Sequence, residues 1–159
     1  MAGLSTRCAE GDAMTLPSMT AEPTHGNGPG SLVGVRVVLV DDEPDGRELL
    51  ADVLSAHGAS VRSCGSADEA RAAFLSGWPE LVISDIGMPR ESGLDLMRSI
   101  RAMEGGGTVP AIALTGYDQD SLRVEALSAG YDRHVAKPVD PFELVLLATT
   151  LLASRRRAP

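Results

Sequence analysis

The sequence predicts an α/β domain in which five parallel strands form an open sheet covered by helices on both faces. Short apolar segments rich in β-branched residues recur five times, and each is followed by a segment with apolar residues at helical spacing. Strands joined by helices run parallel and place the helices on both faces, so this alternation predicts a doubly wound sheet. The sequence does not repeat at a fixed period, which excludes a solenoid.

The predicted strands are short apolar runs bounded by polar residues, glycine or proline. Residues 36–40, with the sequence RVVLV, are typical, because an uninterrupted run of Val and Leu indicates a strand buried on both faces. The five predicted strands occupy residues 36–40, 59–64, 81–84, 111–114 and 134–136.

The predicted helices begin and end at characteristic residues. Ser66, with Glu69 three residues later, has the pattern of a capping box at a helix start. Gly58 and Gly130 end two helices, and Pro141 lies near the start of the last one. The five predicted helices occupy residues 45–57, 66–75, 93–103, 118–129 and 141 to about 154.

The first part of the chain has a different composition from the rest. Residues 1–33 are rich in Gly, Pro, Ser and Thr and show no apolar periodicity, which predicts a disordered N-terminal tail. Residues 34–159 are then one folded domain. A Gly-rich stretch at 26–30 precedes the first strand instead of following it, so it does not fit a dinucleotide-binding loop.

Composition excludes several classes of protein. The formal net charge of -8 argues against direct nucleic-acid binding, which requires a basic surface. We find no apolar run long enough for a signal peptide or a membrane span. Cys8 and Cys64 are not spaced as metal ligands or as a disulfide framework. We therefore expect a soluble, cytoplasmic protein that contacts no membrane.

Polar residues follow four of the five predicted strands, at the sheet edge where open parallel sheets bind ligands. Asp41 and Asp42 follow the first strand, Asp85 the third, Thr115 the fourth and Lys137 the fifth. Lys137 is the only lysine in a chain with thirteen arginines. This contrast favours a specific need for a compact ammonium group at that position.

These residue types together indicate phosphoryl-transfer chemistry. Three neighbouring carboxylates repel one another and require a cation or shared protons. Oxygen ligands without His or Cys favour a hard ion, so we expect Mg²⁺. A carboxylate can act as a nucleophile and form an acyl phosphate, while the hydroxyl of Thr115 and the ammonium of Lys137 can bind phosphoryl oxygens.

Four short motifs surround these site residues. They are Leu39-Val40-Asp41-Asp42-Glu43, Ile83-Ser84-Asp85-Ile86-Gly87-Met88-Pro89, Leu114-Thr115-Gly116 and Lys137-Pro138. In order and in spacing they resemble the motifs of the response-regulator receiver family, the CheY-like domains. The resemblance covers roughly residues 34–155 and implies a flavodoxin-like fold with strand order 2-1-3-4-5.

The resemblance implies a role for each site residue. Asp85 corresponds to the phosphorylated aspartate of the family, and Asp42 to the direct Mg²⁺ ligand. Asp41 corresponds to the acidic residue that often holds the ion through water. The backbone carbonyl of Gly87 would complete the coordination supplied by the protein.

The resemblance also implies a conformational switch. Thr115 corresponds to the switch hydroxyl and Lys137 to the residue that binds the phosphoryl group. His134 occupies the position of an aromatic switch residue that is usually Tyr or Phe in the family. Because histidine is smaller than Tyr or Phe and is titratable, the packing that the family's aromatic ring makes at this position does not carry over directly to His134.

The resulting expectation is a signalling module and not an enzyme with a separate substrate. A sensor histidine kinase or a histidine phosphotransfer protein would phosphorylate Asp85 and thereby change a surface that binds an unknown downstream protein. We expect a monomer or a weak dimer, either a stand-alone regulator or the receiver of a hybrid kinase. The alternatives are a pseudo-receiver that works without phosphorylation and an aspartate-nucleophile phosphohydrolase, which needs a second acid where this chain has Gly87.

Overall fold

A computed structural model describes residues 30–77, 79–116 and 120–157 of the chain. Five parallel strands form one sheet in the order β2-β1-β3-β4-β5, which confirms the predicted fold class and strand order. The strands are β1 (Arg36–Val40), β2 (Ser60–Cys64), β3 (Leu81–Asp85), β4 (Ala111–Thr115) and β5 (Arg133–Ala136). The helices are α1 (Pro44–Ala56), α2 (Ala67–Ser76), α3 (Gly93–Ala102), α4 (Asp120–Ala129) and α5 (Pro141–Arg157).

An apolar core lies on each face of the sheet. Val38 and Val40 of β1 point to the core beneath α2, α3 and α4, whereas Val37 and Leu39 point to the core beneath α1 and α5. Successive strand residues face opposite sides, so a strand buried on both faces is apolar along most of its length. This explains the apolar runs Val37–Val40, Leu81–Ile83 and Ala111–Leu114. The buried polar residues Ser84, Asp85 and Thr115 follow at the carboxyl ends of β3 and β4.

The start of α2 differs in detail from the predicted capping box. The Ser66 hydroxyl accepts a hydrogen bond from the Glu69 amide at 3.2 Å, as the pattern predicts. The Glu69 carboxylate, however, accepts from the amide of Gly65 at 2.8 Å. In a capping box the Glu69 carboxylate would accept from the amide of the N-cap residue, Ser66, but here it accepts from the amide of the preceding residue, Gly65.

Most element boundaries lie within one residue of the predictions, and the larger differences are at the two ends of the described chain. Leu32 lies inside the predicted tail, yet it is fully buried and its amide donates to the carbonyl of His57 at 2.8 Å. Packing of the folded domain therefore begins before residue 34, while residues 1–29 lie outside the described part of the chain. Helix α5 continues through its basic last turn to Arg157. The predicted start of α4 at residue 118 also falls outside the described residues.

The described helices have 10 to 17 residues, which is ordinary for a globular domain. None of them is both long enough and apolar enough to cross a lipid bilayer.

Candidate functional site

Three aspartates meet where β1 and β3 end side by side. Asp41 directly follows β1 and Asp85 is the last residue of β3, and the two strands pair with Val40 opposite Ser84. Asp41 is 1% exposed and Asp85 is 6% exposed, whereas Asp42 faces solvent. One carboxylate oxygen from each of the three residues lies within 4.8 Å of the others. The topology thus brings together the three acidic residues predicted from the sequence.

Lys137 links two of these carboxylates. It follows β5, and its Nζ donates to Asp41 Oδ2 at 3.1 Å and to Asp85 Oδ2 at 3.0 Å. Burial alone would lower the pKa of Lys137, but its hydrogen bonds to Asp85 and Asp41 and their negative charges outweigh burial and raise it. Lys137 is therefore held as a cation between the two buried acids.

Backbone amides hold the second oxygen of each buried carboxylate. The amide of Glu43 donates to Asp41 Oδ1, and the amide of Gly87 donates to Asp85 Oδ1, both at 3.0 Å. Each carboxylate is therefore fixed from two directions, by Lys137 on one oxygen and by a following turn on the other. Such fixed acceptors keep their position when a ligand approaches, which lowers the cost of reorganisation.

Thr115 is the last residue of β4 and is 2% exposed. Its Oγ1 lies 3.5 Å from the carbonyl oxygen of Val135, which is long for a hydroxyl hydrogen bond. The hydroxyl is thus only weakly held in this conformation. A cleft of about 230 Å³ lies beside it, lined by Asp85, Ile86, Gly87, Thr115, Gly116, Leu122 and Lys137.

His134 lies in β5 opposite Ala113 and is half-buried. Ala136 pairs with Thr115 in the same ladder. Because side chains alternate along a strand, His134 and Thr115 lie on the same face of the sheet, the face covered by α4. The structure therefore places the two predicted switch residues on neighbouring strands of one face.

The donor set fits a hard divalent cation. The three carboxylates supply oxygen atoms only, as Mg²⁺ prefers. Lys137 compensates one of three formal negative charges, so a net negative charge remains at the cluster. A further cation would relieve this repulsion.

Sequence reasoning missed two residues that support the site. Arg47 of α1 donates from Nη1 to the carbonyl of Asp41 at 2.6 Å and so anchors the loop after β1. Tyr131 is buried, and its hydroxyl donates to the carbonyl of Gly93 at 2.7 Å. The sequence offers one indication that Tyr131 is special, namely that the chain has only two tyrosines.

Residues 37–149 match the response regulator receiver domain family. The chain belongs to this family. Response regulators are the partners of histidine kinases in two-component signal transduction, and they act on downstream effectors. The order of the strands and the acidic cluster at the end of β1 and β3 agree with this assignment.

Two curated relatives are similar to this chain over about three quarters of its length. The chain is 39% identical over 117 residues to an uncharacterized 14.6 kDa protein of Leptolyngbya boryana, covering 74% of this chain and 89% of the relative. It is 38% identical over 128 residues to the transcriptional regulatory protein AruR of Pseudomonas aeruginosa, covering 77% of this chain and 51% of AruR. The receiver thus spans about half the length of that transcriptional regulator.

A solved structure shows the same architecture. The receiver domain protein (CheY-like) of Methanospirillum hungatei JF-1 superimposes with a TM-score of 0.72 at 25% sequence identity. The alignment covers 77% of this chain and 97% of that protein.

Proposed function

We propose that this receiver takes a phosphoryl group on Asp85 in a Mg²⁺-dependent reaction and that the phosphorylated form presents an altered surface to a downstream protein. The observation that carries the proposal is the position of Asp85. Its carboxylate is buried, held by the amide of Gly87 on one oxygen and by Lys137 on the other, and it opens on a cleft also lined by Thr115.

Asp41, Asp42, Asp85 and the backbone carbonyl of Gly87 would hold the Mg²⁺ ion. When bound, Mg²⁺ would neutralise carboxylate charge and the charge of phosphoryl oxygens. The ion fits because the cluster keeps a net negative charge even with Lys137 present.

The chain's own residues account for the transfer itself. The phosphodonor is a phosphohistidine of a sensor kinase or of a histidine phosphotransfer protein. A carboxylate oxygen of Asp85 attacks phosphorus while the phosphorus–nitrogen bond breaks, and the donor imidazole keeps the electron pair and takes up a proton. Lys137 then pairs with a phosphoryl oxygen, because its ammonium group already lies 3.0 Å from Asp85 Oδ2.

The conformational change after phosphorylation would begin at Thr115, because its hydroxyl makes only a weak hydrogen bond to the Val135 carbonyl. Phosphorylation adds about 1.5 to 2 negative charges and new acceptor oxygens at Asp85. The Thr115 hydroxyl, 3.5 Å from the Val135 carbonyl, loses little by turning to donate to the phosphoryl group. His134 lies on the same face and would respond to that movement.

We expect the His134 ring resonances in a proton NMR spectrum to shift when beryllofluoride and Mg²⁺ mimic the phosphoryl group at Asp85. Thr115→Val keeps the shape of the side chain but removes the hydroxyl, and should abolish that shift while binding of beryllofluoride persists. His57, which follows the last residue of α1, serves as the internal control in the same spectrum. Equal His134 shifts in both proteins would refute a relay through Thr115.

Two other functions fit the site less well. A pseudo-receiver would not need the complete set of acids and lysine that this chain retains. A phosphohydrolase would need an acid at the position of Gly87 to protonate a leaving group. The chain is therefore proposed to modify only its own Asp85.

Phosphorylation is tested directly by incubating the chain with acetyl phosphate and following the intact mass. We expect the mass of one phosphoryl group to be added in the presence of Mg²⁺, and none after the metal is chelated or in Asp85→Asn. Asp95→Asn, which changes an exposed acid of α3, is the matched control and should be phosphorylated normally. Equal labelling of Asp85→Asn would refute the proposal, and no labelling of the wild type would favour the pseudo-receiver.

A further inference from the structure

A buried tyrosine connects the turn before β5 with the loop that follows Asp85. Tyr131 is 3% exposed, and its hydroxyl donates to the carbonyl oxygen of Gly93 at 2.7 Å across 38 positions of sequence. Gly93 is the first residue of α3, so it ends the loop that begins after Asp85. The hydrogen bond therefore joins two segments that are otherwise distant along the chain.

Gly93 is pressed against the backbone of Asp85 itself. A Cβ atom at Gly93 would lie 2.2 Å from the carbonyl oxygen of Asp85 and 2.9 Å from Cα of Ile86. The amide of Gly93 also donates to the carbonyl of Ile86 at 2.9 Å. A displacement of Gly93 would therefore also move the backbone of Asp85 and Ile86, and with it the Asp85 side chain.

The other end of the contact is firmly held. The amide of Tyr131 donates to the carbonyl of Ala126 in α4 at 3.0 Å. The preceding residue, Gly130, has φ of +120°, and its carbonyl accepts from Arg101 Nη2 at 2.6 Å. These contacts fix the backbone at Gly130 and Tyr131. The hydroxyl of Tyr131 can therefore restrain Gly93, because Tyr131 itself is not free to move with Gly93.

Ser84 and Asp85 lie beside the same phenol. Burial raises the pKa of Tyr131, the nearby hydroxyl of Ser84 lowers it to a smaller extent, and the negative charge of Asp85 raises it further. The tyrosine therefore stays protonated and able to donate to Gly93 at all ordinary pH values.

We propose that Tyr131 is a positioning residue for phosphorylation: by donating to Gly93 it holds the start of α3 against the Asp85 peptide and so sets the place of the Asp85 carboxylate between Lys137 and Gly87. The inference rests on the proposed function, because it assumes that Asp85 is the acceptor. Tyr131 does not touch the reacting atoms, and it acts only through Gly93.

The test uses Tyr131→Phe, which keeps the ring in the core and removes only the hydroxyl. The amide of Gly87 donates to Asp85 Oδ1 at 3.0 Å, so its resonance in a proton–nitrogen correlation spectrum reports the carboxylate position. We expect this resonance to move in Tyr131→Phe. We also expect the rate of phosphorylation by acetyl phosphate with Mg²⁺ to fall about fivefold, as for the loss of one hydrogen bond.

Leu151→Val is the control, because it removes a methylene from the core on the opposite face and lowers stability without touching the loop. It should leave both the Gly87 resonance and the rate at their wild-type values. The proposal is overturned if Tyr131→Phe leaves either quantity unchanged, or if Leu151→Val changes both to the same extent. A wild-type chain that takes no phosphoryl group would refute the proposed function, while the Gly87 resonance would still decide whether Tyr131 positions Asp85.

Discussion

Replacing Lys137 with methionine should lower the free energy of unfolding by about 2 kcal/mol at neutral pH and slow phosphorylation of Asp85 by roughly two orders of magnitude. The stability loss arises because Asp41 and Asp85 are buried and lose the cation between them. Removing one partner of a fully buried pair costs about 3 to 5 kcal/mol, and the Lys137 side chain is 27% exposed, which reduces the cost. The rate falls because no ammonium remains to pair with the phosphoryl oxygens.

Urea denaturation monitored by circular dichroism measures the first effect, and intact mass against time measures the second. Arg98→Met is the matched control, because Arg98 forms an exposed ion pair with Asp95 at 3.0 Å on the outer surface of α3. It should change stability by less than about 0.5 kcal/mol and leave phosphorylation unaltered. If the two variants had the same stability and rate, Lys137 would have no special role at the site.

Replacing Asp42 with asparagine should remove most of the stabilisation that Mg²⁺ gives the wild-type fold. An ion that binds only the folded state stabilises it by about 2.7 kcal/mol when present at 100 times its Kd. At the Mg²⁺ concentration that gives the wild type this increment, we expect the variant to gain less than about 1 kcal/mol. Without Mg²⁺ the variant should be the more stable of the two, since Asp42 lies within 4.8 Å of two other carboxylates.

Thermal unfolding with and without Mg²⁺ measures this difference. Asp52→Asn is the control, because Asp52 is an exposed acid of α1 outside the cluster, and it should respond to Mg²⁺ like the wild type. An Asp42→Asn chain that gains as much stability from Mg²⁺ as the wild type would show that the ion is held elsewhere.

Most of the fold could be predicted because its determinants are local. The run of Val and Leu in β1 fits only a strand buried on both faces, and the structure buries Val37 to Val40 in two separate cores. The convergence of Asp41, Asp85 and Lys137 also follows from topology alone, since the carboxyl ends of parallel strands share one edge. The order of the strands required the family resemblance.

The contacts that fix the site could not be predicted, because they join residues far apart in sequence. Nothing near Tyr131 indicates that its hydroxyl reaches Gly93, and nothing near Arg47 indicates that it donates to the carbonyl of Asp41. Leu32 lies in the segment whose Gly, Pro, Ser and Thr content predicts a tail, although its own side chain fills the core beneath α1 and α5. The apolar pair Leu32 and Val33 is too short to show a periodicity, so only tertiary packing identifies Leu32 as a core residue.

Chemical localisation of the phosphoryl group tests most directly whether it resides on Asp85. Borohydride reduces an aspartyl phosphate to homoserine but leaves free carboxylates intact. After treatment with acetyl phosphate and Mg²⁺, reduction and proteolysis, peptide mass spectrometry should find homoserine at position 85 and aspartate at positions 41 and 42. Homoserine at position 41 or 42, or its absence from position 85 in a chain that has gained a phosphoryl group, would contradict the account.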